Sequence, residues 1–415
     1  MSQLNDSMAS QGDPNFSRGL QSMPNEVHDQ RGVRLAVLCD YPEENWPSMD
    51  LAAEMLFHGL QSGHSNRFHV RKVCPEFRHR FTRAPWLGRR KLVRNADRLL
   101  NRMWYYPKYL KRLVHEFDFF HLCDHSYSQL IHVLPPERTG VFCHDLDTFR
   151  SVLEPEKDKR PRWYRMMTRR VLKGFEKAAI VFHSTNFIRE EILKFGLVAP
   201  EKLVLAPLGA SPEFTPSSEG NDLLPDSKLQ DAPYVLHVGS CIPRKRMDVL
   251  LEVFATVRKA HPDLLLAKVG GPWTAEQQEL LERLDLGNSI VQMGGLTREQ
   301  IAGLYRQAKI VLMPSEAEGL GLPVIEALAC GAVVVASDIP VFREVGEDAV
   351  VYCPLADVPV WSATVDKILS GTMSVPTPEQ RASRAKLYSW ESHCKKILAG
   401  YERLMGKVSF AAPSA

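Results

Sequence analysis

Two carboxylates flank a glycine-rich loop in the last third of the sequence, and their chemistry suits the binding of hydroxyl groups. Glu318 and Glu326 are separated by seven residues. When ionised, both are hydrogen-bond acceptors only, as hydroxyl donors require. Glycine lets backbone N–H groups come close to a ligand, and a helix N-terminus favours negative charge. The loop residues that would offer these amides are Gly319, Leu320, Gly321 and Leu322. A phosphate beside several hydroxyls is the chemistry of a nucleotide sugar.

The elements around this loop predict how it is positioned. Ile310–Met313 reads as a buried strand before it, and Ala332–Ala336 as a second apolar strand after it. Between them, Val324–Cys330 reads as a short helix with Pro323 in its first turn and Gly331 as its C-cap. Ligands of open α/β sheets bind at the edge where strands end. The simpler interpretation, a βαβ turn with two solvated glutamates, stays open at this point.

Polar groups also follow several short apolar strands in the first half of the chain. The pair His144-Asp145 comes directly after the predicted strand Thr139–Cys143. Similar groups follow two other predicted strands, Phe117–Cys123 and Ala179–Phe182. A parallel sheet gathers such ends along one edge, so we expect a ligand cleft there. A strand-end histidine can equally have a structural role.

A second strand-end loop carries positive charge. The strand Tyr234–Val238 leads into Gly239, and Arg244 and Lys245 stand just before a predicted helix over Met247–Lys259. Basic side chains near a helix N-terminus could neutralise a phosphate, or could simply be solvated. Further along, strand-and-turn patterns at Leu264–Gly271 and Ile290–Gly295, the latter including Gly294, predict loops that approach a nucleotide through backbone atoms.

Three stretches resemble one known family. EGLGLPVIEALACG, followed by SDIPVFREV, is similar to the donor-site signature of family 4 retaining glycosyltransferases, with Glu318 and Glu326 on its E-x7-E element. VFCHDLDTF resembles the strand-end H-D of that family, at His144. Lys245 matches the family's diphosphate-binding lysine. Some relatives have an arginine directly after the glycine, where this chain has Ser240, so Arg244 could substitute. The resemblance covers roughly 33–404.

The resemblance implies an α/β fold of the GT-B type, with two facing Rossmann-like domains. It implies transfer of a hexose, mannose or glucose, from a nucleoside diphosphate sugar to a glycan or lipid-linked hydroxyl with retention of configuration. Catalytic roles would fall to His144, Glu318 and Lys245. Donor binding would involve Gly239, Arg244, Gly294, Glu326 and the Gly319–Leu322 amides. No D-x-D element occurs in the donor domain, so neither a metal nor a cofactor beyond the donor is expected.

The expected organisation has two domains and two tails. In chain order it comprises a disordered tail at 1–31, an acceptor-binding Rossmann-like domain at 32–210, a linker at 211–232, a donor-binding Rossmann-like domain at 233–385, a C-terminal helix at 386–407 that returns to the first domain, and a tail at 408–415. The linker stretch 217–231 is polar and is predicted to be exposed.

Composition narrows the class of protein. The 415 residues are 44% hydrophobic and 24% charged, which is ordinary for globular domains, and the net charge of +3 does not point to nucleic acid. No run of 18 apolar residues and no signal-peptide pattern occurs. The eight cysteines are scattered and form no C-x-x-C pair, so a zinc site is not expected. A cytoplasmic, reduced protein fits best.

The stretch from Arg78 to Arg112 is unusual because it carries twelve cations against one acid, Asp97. Aromatic residues are interleaved with the cations, including Trp104, Tyr105, Tyr106 and Tyr109. A basic amphipathic helix of this kind binds anionic membrane surfaces, which would make the protein peripheral to the inner face of a membrane. A solvated basic face over a core-facing apolar stripe is the equal alternative. RNA binding is a third interpretation, but no RNA-binding signature accompanies it.

Two other functions remain open beside glycosyl transfer. Nucleotide-sugar 2-epimerases share the two-domain architecture, although their carboxylate pattern is not seen. A non-catalytic sugar-nucleotide-binding protein would keep the fold without the chemistry. A kinase or NTPase is disfavoured because no G-x-x-x-x-G-K-[ST] motif occurs.

Overall fold

The structure, a computed structural model, describes residues 32–44, 46–63, 67–83, 91–217 and 224–406. Both predicted tails, 1–31 and 408–415, lie outside this part, as does 407. Residues 84–90 of the basic stretch and 218–223 of the linker also lie outside.

The first lobe is built on a six-stranded sheet in which every pairing is parallel, in the order β2-β1-β3-β4-β5-β6. Its strands are short. The three inner strands β3, β4 and β5 are fully buried, as expected where helices cover both faces of a parallel sheet, whereas the edge strands β2 and β6 are partly exposed. They are β1 Val33–Leu38, β2 Phe68–Val73, β3 Phe119–Leu122, β4 Thr139–Cys143, β5 Ile180–His183 and β6 Leu203–Leu205.

Six α-helices lie in the part of the first lobe that the structure describes. They are α1 Pro47–Gly63, α2 Lys91–Leu100, α3 Tyr106–Leu113, α4 Arg150–Leu153, α5 Arg162–Lys177 and α6 Asn186–Lys194. A π-helical turn, Asn101–Tyr105, joins α2 to α3. The basic stretch is therefore not one continuous helix, and its apolar side chains do not share a single face.

The second lobe repeats this architecture with a sheet in the order β12-β11-β10-β7-β8-β9, again parallel throughout. Its strands are β7 Tyr234–Val238, β8 Leu265–Val269, β9 Ile290–Met293, β10 Ile310–Met313, β11 Val334–Ser337 and β12 Val351–Cys353. The direction of winding reverses between β7 and β10. The crevice outside the carboxyl ends of those two strands is where a doubly wound sheet binds its ligand.

The helices of the second half complete the chain. They are α7 Lys228–Asp231, α8 Met247–Arg258, α9 Ala275–Arg283, α10 Arg298–Gln307, α11 Leu322–Ala329, α12 Pro340–Gly346, α13 Val358–Leu369, α14 Pro378–Ala385 and α15 Trp390–Met405. The last of these packs on the first lobe. Tyr401 Oη donates to the Phe120 carbonyl at 3.0 Å, and the His393 ring contacts the Ala206 carbonyl at 2.9 Å.

The linker differs from its prediction. Leu224 and Leu229 are buried, with 5% and 3% of their surface exposed, and α7 forms inside the predicted connector. The two leucines are separated by polar residues, but both pack into the hydrophobic core that also contains Tyr234. Ordered structure of the second lobe thus begins before β7, whereas the sequence predicted an exposed segment up to 231.

Candidate active site

The loop between β10 and α11 has the backbone geometry that its glycines predict. Gly321 is the N-cap of α11 and adopts φ 81°, in the left-handed region that favours glycine. A Cβ at this position would also lie 2.7 Å from the Phe342 ring. Pro323 occupies the first turn, Gly331 follows the helix at φ 78°, and Leu320 is buried. The local signals in the sequence therefore specify this turn, which presents the N-terminus of α11 at the sheet edge.

One of the predicted site carboxylates and two of the predicted cations meet in front of this loop. Lys245 Nζ lies 2.5 Å from Glu318 Oε1, and Arg244 Nη1 lies 3.2 Å from Glu318 Oε2. Arg244 Nη1 also donates to the Ala317 carbonyl at 2.8 Å. Burial works against a charge on Glu318, but Lys245 and Arg244 outweigh it and lower the pKa of its carboxyl. The three side chains form a charged cluster on two strand-end loops.

The predicted glycines Gly239 and Gly294 lie on neighbouring loops of the same edge. A Cβ on Gly239 would come 2.9 Å from Nε2 of the buried His237, so the position has no room for a larger residue. The Gly239 N–H donates to the Val269 carbonyl at 2.9 Å. At Gly294 a Cβ would make ordinary contact with the Gly270 carbonyl, at 3.6 Å.

Glu326 does not join the Lys245 cluster. It lies on α11, where Tyr305 Oη donates to its Oε2 at 3.2 Å. Burial raises the pKa of Glu326 to about 7, against the smaller opposing effects of Tyr305 and Arg298. Its protonation therefore changes near neutral pH, which the sequence did not indicate.

His144 contributes a second strand-end group from the first lobe. Its Nε2 lies 2.8 Å from the Cys123 carbonyl, and since a carbonyl can only accept, Nε2 carries the proton. Burial lowers the pKa of His144, with His125 adding to that effect and Asp124 opposing it. The ring is therefore neutral at physiological pH, and Nδ1 is its acceptor.

The two lobes touch directly across this site. Ser184 Oγ and Thr185 Oγ1 of the first lobe donate to the Gly319 carbonyl of the second, at 3.0 and 3.2 Å. Arg244 Nε approaches Asp147 Oδ2 at 3.7 Å. At the N-terminus of α6, the Glu344 carboxylate accepts from the backbone N–H groups of 186 and 187. These contacts assemble strand ends from both sheets into one closed cleft.

The first-lobe wall of the cleft is acidic. Asp124 caps the turn after β3 by accepting from the Ser126 N–H at 2.8 Å, and its Oδ1 lies 3.1 Å from His125 Nδ1. His125 Nε2 lies 3.8 Å from Asp145. The sequence indicated these strand-end groups. It also predicted that 40–49 is either an acceptor-side loop or a packing loop. It did not single out Asp40 or Arg102, which the fold brings to the same place. Neither carried a motif that would have identified it.

Part of the basic stretch is packed into the first lobe. Tyr106 is fully buried and its hydroxyl donates to the carbonyls of Cys39 and Val73, at 2.9 and 2.7 Å, so it cannot sit among lipid headgroups as predicted. Asp97 accepts from the backbone of 80–82, and Arg98 donates to the Glu44 carbonyl at 3.1 Å. Other members are exposed, including Leu92 at 81% and Trp104 at 64%. Of the helices in the described ranges, none is both long and apolar enough to cross a bilayer.

Comparison with known proteins places this geometry in a family. Residues 224–387 match the family model described as glycosyl transferases group 1. The O-antigen chain mannosyltransferase B of Escherichia coli is 28% identical over 329 residues, which are 77% of this chain and 82% of that protein. The D-inositol 3-phosphate glycosyltransferase of Mycolicibacterium smegmatis is 29% identical over 202 residues, 46% of this chain, and the match spans less than half of that enzyme, 45%.

A solved structure supports the fold independently of sequence. The Anabaena protein Alr3699/HepE, determined in complex with UDP and glucose, superposes with a TM-score of 0.63 at 15% identity, covering 89% of this chain and 100% of that one. The predicted GT-B fold of two Rossmann-like lobes is thereby confirmed. Together with the family match over the second lobe, this makes the chain similar to the group 1 glycosyl transferases.

Proposed function

We propose that the protein is a retaining mannosyltransferase that moves mannose from a nucleoside diphosphate sugar to a hydroxyl of a glycan or lipid-linked acceptor. The observation that carries the proposal is the cluster of Lys245, Arg244 and Glu318 in front of the Gly319–Leu322 loop. Mannose is favoured over glucose because the E. coli relative that aligns with most of this chain is named a mannosyltransferase.

The cations and the helix N-terminus would act on the departing diphosphate. Lys245 is held in place by Glu318, and a bound diphosphate would share its charge. Negative charge grows on the leaving group as the glycosidic bond breaks, so fixed donors there lower the barrier most. The amides of the Gly319–Leu322 loop, at the start of α11, would add further donors.

The remaining predicted residues would position the sugar and the nucleoside. Glu318 would hold the sugar ring, and Glu326 would accept from the ribose hydroxyls. The loops at Gly239 and Gly294 would approach the nucleotide through their backbones. His144, neutral with Nδ1 as acceptor, would contact a hydroxyl of the transferred sugar or of the acceptor.

The reaction we propose needs no covalent enzyme intermediate, metal or cofactor. The acceptor hydroxyl would attack on the face that the diphosphate leaves, and the leaving phosphate would take its proton. The absence of a D-x-D element from the second-lobe sequence supports metal independence. Unchanged transfer in excess chelating agent is the expected result, and restoration of activity by one divalent metal would contradict it.

A thermal-shift panel with GDP, UDP and ADP tests the donor site. A ligand at about 100 times its dissociation constant stabilises the fold by about 2.7 kcal/mol, which gives a measurable shift. The nucleotide that binds then defines the sugar donor for an assay with and without a mannoside acceptor. Transfer supports the proposal. Epimerised free sugar would indicate a 2-epimerase, and binding without turnover would indicate a sugar-nucleotide sensor.

We also propose that the exposed part of the basic stretch binds an anionic membrane surface. Leu92, Trp104 and Tyr109 are exposed at 81%, 64% and 39%, and exposed cations such as Arg94 and Lys111 accompany them. Aromatic rings favour the headgroup level, and lysine and arginine are attracted to anionic lipids. All eight cysteines are unpaired, which supports a reducing compartment and hence the inner face of a membrane.

A further inference from the structure

Asp40 is a buried carboxylate without a hydrogen-bond donor. It follows β1 directly, has 5% of its surface exposed, and neither of its side-chain oxygens accepts a hydrogen bond from any donor in the part of the chain that the structure describes. Buried polar groups are almost always paired, because leaving them unpaired costs folding free energy. A group that the fold leaves unpaired at a ligand-binding edge is a candidate for pairing with the ligand.

The neighbours of Asp40 make the site strongly acidic. The parallel register pairs Leu38 with Leu122, the last residues of β1 and β3. Asp40 and Asp124 each follow two residues later, and Asp124 lies close enough to act on the Asp40 carboxyl. Glu44, also buried, has one unpaired oxygen and receives Arg102 Nη1 at 3.3 Å on the other. Burial and the adjacent Asp124 raise the pKa of Asp40 well above its ordinary value. We call Asp40, Glu44 and Asp124 the acidic cluster.

Arg102 does not neutralise the acidic cluster. Its guanidinium also donates to Ser126, at 3.0 Å to Oγ and by a shorter contact to the carbonyl, and it lies over the Tyr127 ring at 4.1 Å. One guanidinium therefore faces three acidic side chains, of which Asp40, because its pKa is raised, favours the protonated form. His125 lies 3.1 Å from Asp124 without a well-aligned hydrogen bond, and it is shared with Asp145.

The acidic cluster lies on the acceptor side of the cleft. The carbonyl of His144 lies against Gly319 of the second lobe. The His144 ring is hydrogen-bonded to the carbonyl of Cys123, the residue before Asp124. The cations of the proposed donor site, Arg244 and Lys245, stand on the opposite lobe. The cleft thus has a cationic wall for a diphosphate and an acidic wall facing it.

We propose that Asp40 binds a hydroxyl of the acceptor sugar, and that the acidic cluster restricts the acceptor to neutral glycan ends that carry no phosphate near the reacting hydroxyl. This inference rests on the proposed transferase function. Carboxylate oxygens accept from hydroxyls, so a sugar supplies the donors that Asp40 lacks. A phosphate at the same place would lie beside Glu44 and Asp124, and next to the Asp40 carboxyl, in a site of low dielectric constant. The acceptor enters when the lobes part, since Gly319 rests on His144 in the closed cleft.

The wild-type protein provides the first test. Transfer from the donor defined by the nucleotide panel is measured to α-linked mannobiose and to the same disaccharide phosphorylated on its non-reducing sugar. We expect kcat/KM for the neutral acceptor to exceed that for the phosphorylated one at least tenfold. Equal or preferred use of the phosphorylated acceptor would overturn the inference while leaving the transferase function standing. Failure of both acceptors and of donor turnover would instead contradict the proposed function.

The second test replaces the carboxyl group of Asp40 and nothing else. Asp40→Asn, which keeps the shape of the side chain, should raise KM for mannobiose about tenfold or more. It should also reduce the ratio of kcat/KM for mannobiose to kcat/KM for the phosphorylated disaccharide. Nucleotide binding by calorimetry and the unfolding temperature should not fall, because an unpaired carboxylate is removed. Glu116→Gln is the matched control, since Glu116 precedes β3 at the opposite end of the sheet and pairs on the surface with Arg71. An unchanged acceptor KM in Asp40→Asn would overturn the assignment.

Discussion

Gly319 of the second lobe lies directly against the backbone of His144 of the first. A Cβ built on Gly319 would come 2.1 Å from the His144 carbonyl oxygen, nearer than any real contact. The same glycine carbonyl accepts from Ser184 and Thr185. Glycine is therefore required here for the lobes to close. The proposed donor loop and the proposed acceptor wall meet at this contact.

Gly319→Ala should reduce turnover without unfolding the protein. The three atoms nearest to the added methyl all belong to the first lobe, so the methyl opposes the closed arrangement, and the backbone of His144 cannot move aside cheaply. We expect kcat to fall about 100-fold, the scale expected of a misplacement of about 1 Å, with the unfolding temperature nearly unchanged. Gly287→Ala is the control, because its Cβ would enter open space. Wild-type turnover in Gly319→Ala would show that this closed arrangement is not the reactive one.

Lys245→Met should affect chemistry more than folding. Removal of a cation that acts on the leaving group is expected to lower kcat by two to three decades, about 3–4 kcal/mol of transition-state stabilisation. Arg244 remains to pair with Glu318, which limits the effect on stability. Lys259→Met, at the exposed end of α8, serves as the control. Near-normal turnover in Lys245→Met, with loss in Arg244→Met, would assign the role to Arg244.

Donor affinity should depend on pH through Glu326. Its pKa is raised to about 7, so the acceptor-only carboxylate that would bind the ribose is present above that pH and lost as pH falls. KM for the nucleotide sugar should therefore rise about tenfold between pH 8 and pH 6. The diphosphate diester of the donor has no group that titrates in this range. Glu326→Gln should give a flat profile, and an unchanged slope in that variant would exclude Glu326 as the source.

Vesicle sedimentation tests the membrane proposal. The wild type should bind anionic vesicles at low salt and be released at high salt, because each cation near the surface contributes about 1 kcal/mol that decays within a Debye length. Leu92→Ser with Trp104→Ser should weaken binding. Trp163→Ser is the control, since Trp163 is equally exposed, at 59%, but lies on α5. If wild type binds anionic and neutral vesicles alike at low salt, the basic stretch is a solvated surface.

The sequence predicted most of the fold because its signals were local. β4, β7 and β10 begin and end where their apolar runs predict, and the turn before α11 follows from Gly321 and Pro323. Polar residues at the ends of parallel strands predict a ligand cleft at that edge of the sheet. Such features need no knowledge of distant contacts.

The features that the sequence missed depend on long-range contacts. Arg102 reaches Glu44 across 58 positions, and Asp40 meets Asp124 only through strand register. The sequence of the basic stretch did not indicate that a π-helical turn would divide it. Nor did it indicate that Tyr106 would be buried. Nor does a polar linker indicate by itself that Leu224 and Leu229 find an apolar site.

The central claim is transfer of a sugar with its configuration retained, from a donor held by Lys245. It is tested most directly by NMR of the product formed from an α-linked nucleoside diphosphate mannose and a mannoside acceptor, followed from the first minutes of the reaction. We expect an α-linked product from the wild type, and its formation two to three decades more slowly from Lys245→Met. A β-linked first product, or free mannose with no new glycosidic bond in the presence of acceptor, would contradict it.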